Sequence, residues 1–445
     1  MNPVVLLACV AGFLTALDNN VLMVALPTIG DDLGLTTHDL QWAVVGYMLV
    51  FASLMVAAGA AGDRFGPRRV LLAGLLGFAV ASLGCGTAGS GWELSLWRAV
   101  QGAGAAAIVP TGLAVLRTGL DERGRRAGIA AWTAALAVAL AVGPALGGLL
   151  AEAAHWRWIF LGNVPVCAAA ALLAHRVLPD RRGAAPLPVR STLALTAAVF
   201  AVTAAVLGVG LALVPAVVAC LVFRRVERSA AHPLFPPGVV RGPFAAGVAA
   251  QALWGLAVSG ALFVLPLHLH RAEGFTPLGT GLFFVPAALA VVAGAPAVPL
   301  LVARFGAART AGAGLVAVTA GLAVLPVVPV PGVLACLVLV GLGSALTTPL
   351  TTTALDAADE RLAGVASAAV TASRELAGAL GVALVGLAFT AAGLAAAVWV
   401  AAAATALALP LSRSGRCRGT RRSPGPAPVP GTGTARSGRR RRRTA

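Results

Sequence analysis

The sequence contains no lysine: all 33 of its basic residues are arginines. It holds one tyrosine, and charged residues make up only 11% of its 445 positions, against about 25% in an ordinary globular domain. Each shortage excludes something. Without lysine there is no G-x-x-x-x-G-K-[ST] stretch, and so no nucleotide-hydrolysing phosphate loop. The six cysteines (Cys9, Cys85, Cys167, Cys220, Cys336, Cys417) have no metal-type spacing. Five read as small core residues of apolar segments and the last belongs to the C-terminal tail. The six histidines (His38, His155, His175, His232, His268, His270) form no cluster with cysteines or acids. No cofactor, no metal site and no enzyme active site is expected.

What the chain has in abundance is apolar surface, with 59% hydrophobic residues. Runs of about 20 apolar residues recur along most of its length, and each can span a bilayer. The expectation is an all-α polytopic membrane protein. The net charge of +17 reports orientation and not nucleic acid. Of the arginines, 29 fall in alternate gaps between apolar segments or in the tail; only Arg157 and Arg271 fall in the opposite gaps, and Arg98 and Arg374 lie inside segments. The positive-inside rule then puts the arginine-rich gaps and both termini in the cytoplasm. The first apolar segment lacks a basic n-region and is interrupted by Asp18, so it reads as a retained helix and not a signal peptide. It starts abruptly after Met1, which an upstream start codon would account for.

Apolar periodicity predicts helices at 4–27, 40–62, 70–90, 92–116, 127–151, 157–178, 191–207, 210–224, 243–267, 277–302, 310–327, 332–354, 363–389 and 391–411, fourteen in all. The shortest pair, within 191–224, has one long tilted helix as its alternative. Arginines on both sides of it demand an even number of crossings, and "GVG" (Gly208 to Gly210) offers the turn. The chain also repeats itself: "RFGPRR" (64–69) and "RFGAAR" (304–309) each follow the second helix of a six-helix group. Two six-helix bundles with two extra central helices follow, a transporter architecture. The domains are then 1–178, a linker pair at 191–224, 243–411, and a basic tail at 412–445. That tail, rich in Pro, Gly and Arg, is expected to be disordered; its five-arginine run either touches anionic lipid or reflects a biased coding composition.

Polar residues inside apolar segments carry the chemistry. In "LSLWRAVQGAGAA" (94–106), Arg98 shares a helix face with Gln101, Gly102 and Ala105. A charge in a spanning helix costs at least about 2.5–3.5 kcal/mol and faces a bundle interior or a cavity; a structural arginine is the alternative. In "AVGPALGG" (141–148), Gly143 and Gly147 are four apart, as are Pro144 and Gly148, which makes a kinked, closely packing face. In "GAAGDRFGPRR" (59–69), Gly59, Asp63, Arg64, Gly66 and Arg68 form a charged turn that either holds two helices together or is merely solvated. Arg374 and Glu375 are adjacent in the thirteenth helix and point about 100° apart, so they need not pair.

Taken in order, these segments resemble the signature motifs of the major facilitator superfamily, and within it the 14-helix drug:proton antiporter branch. "LDNNVLMVALP" (17–27) resembles that branch's first-helix motif, 59–69 its loop motif, 94–106 its fourth-helix motif and 139–148 its antiporter motif. "WRWIFLGNVP" (156–165), 265–282 and 364–384 also look like family segments. Departures occur at Asn20, Met23, Pro67, Ala139, His268 and His270; Met23 and the histidines bear on substrate choice.

The resemblance implies a proton-coupling site at Asp18, influenced by Arg98, with a structural, hydrogen-bonded Asp18 as the alternative. It implies alternating access, sealed by the fifth-helix Gly/Pro face and latched by the 59–69 loop. The expected function is export of small amphipathic compounds in exchange for protons; a carrier of one defined metabolite and a membrane sensor are the rivals. Met23, Trp132, Trp254 and His268 are candidates for a substrate pocket, the tryptophans equally for packing. The expected partners are a small-molecule substrate, protons and the bilayer.

Overall fold

The computed structural model describes residues 2–118, 120–180, 188–207, 213–231, 233, 242–356 and 363–414. Among these, the first half comprises α1 (Pro3–Leu33), α2 (Thr37–Phe65), α3 (Pro67–Thr87), α4 (Gly91–Thr118) and α5 (Glu122–Ala153), then a crossing in two pieces, α6 (Arg157–Leu161) and α7 (Asn163–Val177). Next come α8 (Val189–Val206) and α9 (Leu213–Ser229). The second half holds α10 (Gly242–Arg271), α11 (Pro277–Gly294), α12 (Ala297–Phe305), α13 (Ala307–Val324), α14 (Val330–Leu346), α15 (Pro349–Asp356) and α16 (Ala363–Ser414).

Twelve stretches among the described residues are long and apolar enough to cross a bilayer. Two crossings beyond these twelve complete the fourteen. α9 has 17 residues, with Arg224, Arg225, Glu227 and Arg228 gathered at its C-terminal end, and crosses together with the expected apolar residues from 210, which lie partly outside the described ones. α16 runs for 52 residues and breaks at Gly393, whose φ of 80° and ψ of −172° no helix adopts. It therefore holds two crossings, where 363–389 and 391–411 are expected. α8 packs against α9, so the chain doubles back there and does not continue as one tilted helix. The expected 208–210 turn lies outside the described residues, as do the 415–445 part of the tail, its lipid contact and Cys417.

Helices extend past their apolar windows because polar caps satisfy the free backbone groups. At the start of α2, the Thr36 hydroxyl accepts from the Asp39 amide and the Asp39 carboxylate accepts from the Thr36 amide. At the start of α5, the Asp121 carboxylate accepts from the Gly124 amide. The hexapeptide repeat has a structural counterpart. Gly66 (φ 93°, ψ 141°) ends α2 and starts α3, and Gly306 (φ 85°, ψ 154°) ends α12 and starts α13. The two halves make the same turn at the same place.

Within the first half, α2 and α3 pack on α4 and α1 packs on α5; within the second, α10 packs on α16 and α13 on α14. The halves meet through α5 against α11 and α2 against α16. Trp156, Phe78, Phe160 and Phe263 are fully buried, whereas Leu76, Val80, Leu193, Leu213 and Val217 stand exposed on outer faces, as bilayer-facing side chains do. Cys220 is also exposed, unlike Cys85, Cys167 and Cys336. It lies on α9, a helix with little protein around it, so it is not the core residue expected.

Candidate functional site

Gly102 is where the site begins. Its missing side chain leaves room for the backbone of α2 at Tyr47, so α4 lies close enough to α2 for Arg98, one turn earlier, to reach it. The Arg98 Nε donates to the Ala43 carbonyl at 3.3 Å, and its guanidinium carbon sits 4.3 Å from the centre of the Tyr47 ring. Arg98 Nη1 donates to Asp18 Oδ2 at 2.6 Å and to Gln101 Oε1 at 2.6 Å. Neither Asp18 nor Arg98 has any side-chain exposure.

The other carboxylate oxygen, Asp18 Oδ1, accepts from Gln101 Nε2 at 2.9 Å and from Asn163 Nδ2 at 2.7 Å. Gln101 Nε2 also donates to Ser82 Oγ at 2.9 Å. Five helices, α1, α2, α3, α4 and α7, thus converge on one buried carboxylate held by three donors. Charge-assisted bonds in such a low-dielectric setting are strong, and removing one partner of a buried ion pair costs about 3–5 kcal/mol. Arg98 Nη2 is buried with no hydrogen-bond partner, and the guanidinium carbon also lies 5.9 Å from the centre of the Phe160 ring.

A cavity of about 140 Å³ lies between the halves, beside this cluster. The first half contributes Asn19, Met23 and Met48 among its lining, and the second Trp254, Arg374 and Glu375. Arg374 Nη2 donates to Glu375 Oε1 at 2.5 Å. The two do pair, which helix geometry had left open. Neighbouring Cα atoms lie only about 3.8 Å apart, and two long side chains readily bridge the angle between them.

The remaining candidates sit elsewhere. Trp132 packs against α1 at Gly12, next to Val5, Ala8 and Leu116. His268 lies near the end of α10, with Nε2 3.5 Å from Glu273 Oε1. In the 59–69 loop, Asp63 and Arg64 are exposed, while Arg68 Nη2 lies 2.9 Å from His175 Nδ1. Arg69 makes a two-pronged pair with Asp180, at 2.9 and 2.6 Å. This loop ties α3 to the end of α7. In α5, Gly143 and Gly147 take α1 at Asn20 and Val21, and Gly148 takes α11 at Pro277 and Leu278. Pro144 meets Gly281 of α11. One four-residue spacing packs inside the half and the other packs across to the second half. No group of three metal-binding side chains is gathered among the described residues.

At the end of the molecule remote from Gly66, the halves are stitched together. Gln41 Nε2 donates to the carbonyls of Val382 and Ala383 at 2.8 and 3.1 Å. His270 Nε2 lies 3.1 Å from Asp31 Oδ2, Arg271 Nη1 donates to Thr37 Oγ1 at 3.2 Å, and the Leu278 amide donates to Glu152 Oε2 at 2.9 Å.

Asn163, Ser82 and Tyr47 escaped the sequence reading. Tyr47 is the chain's one tyrosine, and Asn163 is the uncharged polar residue of "WRWIFLGNVP"; an isolated polar residue in an apolar run was the available signal.

A family model described as Major Facilitator Superfamily matches residues 8–382. This chain belongs to the major facilitator superfamily. Two solved structures share the fold. A peptide transporter in complex with sulfate aligns with a TM-score of 0.71 at 17% identity, covering 93% of this chain and 95% of that one. The E. coli xylose transporter, in a partially occluded inward-open conformation, aligns with a TM-score of 0.66 at 13% identity, covering 92% and 96%. Among curated relatives, a puromycin resistance protein of Streptomyces alboniger is 36% identical, covering 87% of this chain and 81% of the relative. A tetracenomycin C resistance and export protein of Streptomyces glaucescens is 31% identical, covering 86% and 75%. A multidrug efflux pump of Mycolicibacterium smegmatis is 32% identical, covering 85% and 79%. As a major facilitator the chain is an integral membrane protein and a transporter, not an enzyme.

Proposed function

We propose that this major facilitator exports small amphipathic compounds in exchange for protons, with Asp18 as the proton-carrying group. The observation that carries the reading is the placement of a fully buried Asp18–Arg98 pair one residue away from the wall of the cavity between the halves. Relatives named for antibiotic resistance, antibiotic export and multidrug efflux support the substrate class.

The asymmetry of the arginines supports placing their loops and both termini in the cytoplasm of a bacterial plasma membrane. With that orientation, the stitched end from Gln41 to Glu152 faces outward and the molecule is closed to the outside. The 59–69 loop, with Asp63 exposed, is then the unlatched form of a clasp that engages when the outer end opens. Asp18 takes a proton from outside and gives it up inside, and Arg98, Gln101 and Asn163 rearrange as it changes charge. Residues 1–178 rock against 243–411, and the Gly148–Pro277 and Pro144–Gly281 contacts seal the interface in the closed state.

The test is accumulation of a panel of fluorescent amphipathic compounds, differing in charge, in cells lacking their own pumps. Expressing this chain is expected to lower accumulation of at least one member, and a protonophore to abolish the difference. Export that persists unchanged with the proton gradient collapsed contradicts the reading.

A further inference from the structure

The cavity carries two full charges, and both belong to one dipeptide. Arg374 and Glu375 line it together, joined through a single carboxylate oxygen, Glu375 Oε1, at 2.5 Å from Nη2 and 3.2 Å from Nε. The Glu375 side chain is 14% exposed and that of Arg374 40%. A lone cation at Glu375 meets a carboxylate already neutralised by Arg374 and is repelled by the guanidinium beside it. A lone anion at Arg374 meets the reverse. The pair is neutral as a whole, so a ligand bearing one charge gains little here. A ligand bearing both charges matches both ends of the pair.

A second observation, independent of charge, points the same way. Asn19 Oδ1 and Trp254 Nε1 are buried with no hydrogen-bond partner, and both residues line the cavity. Buried polar atoms are normally satisfied. Two residues of the cavity wall thus hold an acceptor and a donor, closed off from solvent and without a partner, which a change of side-chain rotamer would bring to a ligand: an ammonium at the first and a carboxylate at the second. Met23 and Met48 add adaptable, polarisable contacts for an apolar frame.

We propose that this cavity is a binding site for zwitterionic compounds. Their cationic nitrogen meets Glu375 and Asn19, and their carboxylate meets Arg374 and Trp254. The assignment rests on the export reading for the direction of transport and names the substrate class that reading leaves open.

The test uses three small fluorescent probes on the same frame. Nε-dansyl-lysine is zwitterionic, its methyl ester is a monocation, and its Nα-acetyl derivative is a monoanion. Binding of each to the full chain in lipid nanodiscs is measured by the dansyl emission change. The zwitterion is expected to bind about tenfold more tightly than either singly charged probe, the loss of one charge-assisted hydrogen bond. Arg374→Gln is expected to turn the preference toward the methyl ester, and Glu375→Gln toward the acetyl derivative. These opposite shifts cannot arise from misfolding alone. The proposal is overturned if the methyl ester binds wild type as tightly as the zwitterion, if both variants weaken all three probes equally, or if none of the three binds. The export reading is judged separately, by the accumulation assay.

Discussion

Asp18 and Asn19 are neighbours on α1, yet they serve different spaces. Asp18 is buried in the ion pair with Arg98, and Asn19 lines the cavity between the halves. Tyr47 and Met48 repeat the arrangement on α2: the tyrosine ring lies against Arg98 and the methionine lines the cavity. Successive helical residues point about 100° apart, so one turn of backbone serves both. A ligand that moves Asn19 or Met48 moves the helix segments that hold the carboxylate and the guanidinium. In the proposed mechanism this is a contiguous physical path from the cavity to Asp18.

The cluster around Asp18 should behave as one energetic unit. Arg98→Ala leaves a buried carboxylate without its counter-charge, at a cost of about 3–5 kcal/mol, and is expected to lower the melting temperature in detergent. Combining it with Asp18→Asn removes the stranded charge. The double variant should therefore melt above Arg98→Ala alone. Additive losses in such a cycle would argue that the two side chains do not interact.

The Gly66 and Gly306 turns have φ of 93° and 85°, where a Cβ is strained. Alanine at either is expected to cost about 1–3 kcal/mol, with similar falls in melting temperature because the two turns share one geometry. A large effect at one and none at the other would deny their equivalence.

Gln41 holds the backbone of α16 by two hydrogen bonds, each worth about 0.5–1.5 kcal/mol net. Gln41→Ala is expected to shift the conformational balance toward opening at that end by about tenfold. Distances between spin labels at the ends of α2 and α11 measure it, and an unchanged distance distribution would count against Gln41 as a gate contact.

Close approach at Gly148 should be equally restrictive. Gly148→Leu inserts a side chain where the α11 backbone at Pro277 and Leu278 lies. The closed end cannot then form, so transport is lost while the protein still inserts. In a cysteine-free background, a Thr37→Cys reporter should react faster with an impermeant maleimide when Gly148→Leu is present.

Much of this was legible in the sequence. Apolar runs and arginine asymmetry give the crossings, and the hexapeptide repeat gives the two halves. The i, i+3 spacing puts Arg98 and Gln101 on one face, and the Gly/Pro spacings of α5 mark its two packing faces. What was hidden required knowing which distant helices meet. Asn163 lies 145 positions from Asp18, and nothing local says that it reaches that carboxylate. Trp132 and Trp254 are alike as residue types, yet one packs on Gly12 and the other lines the cavity. Whether Arg374 and Glu375 pair stayed open, because backbone direction alone does not fix where long side chains end.

The central claim is that Asp18 couples transport to protons. The most direct measurement reconstitutes wild type and Asp18→Asn in liposomes and follows a dye exported in cells, with and without an imposed pH gradient. Wild type should concentrate the dye only when the gradient is present. Asp18→Asn, which keeps the side chain's shape but carries no exchangeable charge, should at most equilibrate the dye and ignore the gradient. If Asp18→Asn concentrates it as wild type does, the proton is carried elsewhere and the account is wrong at its centre.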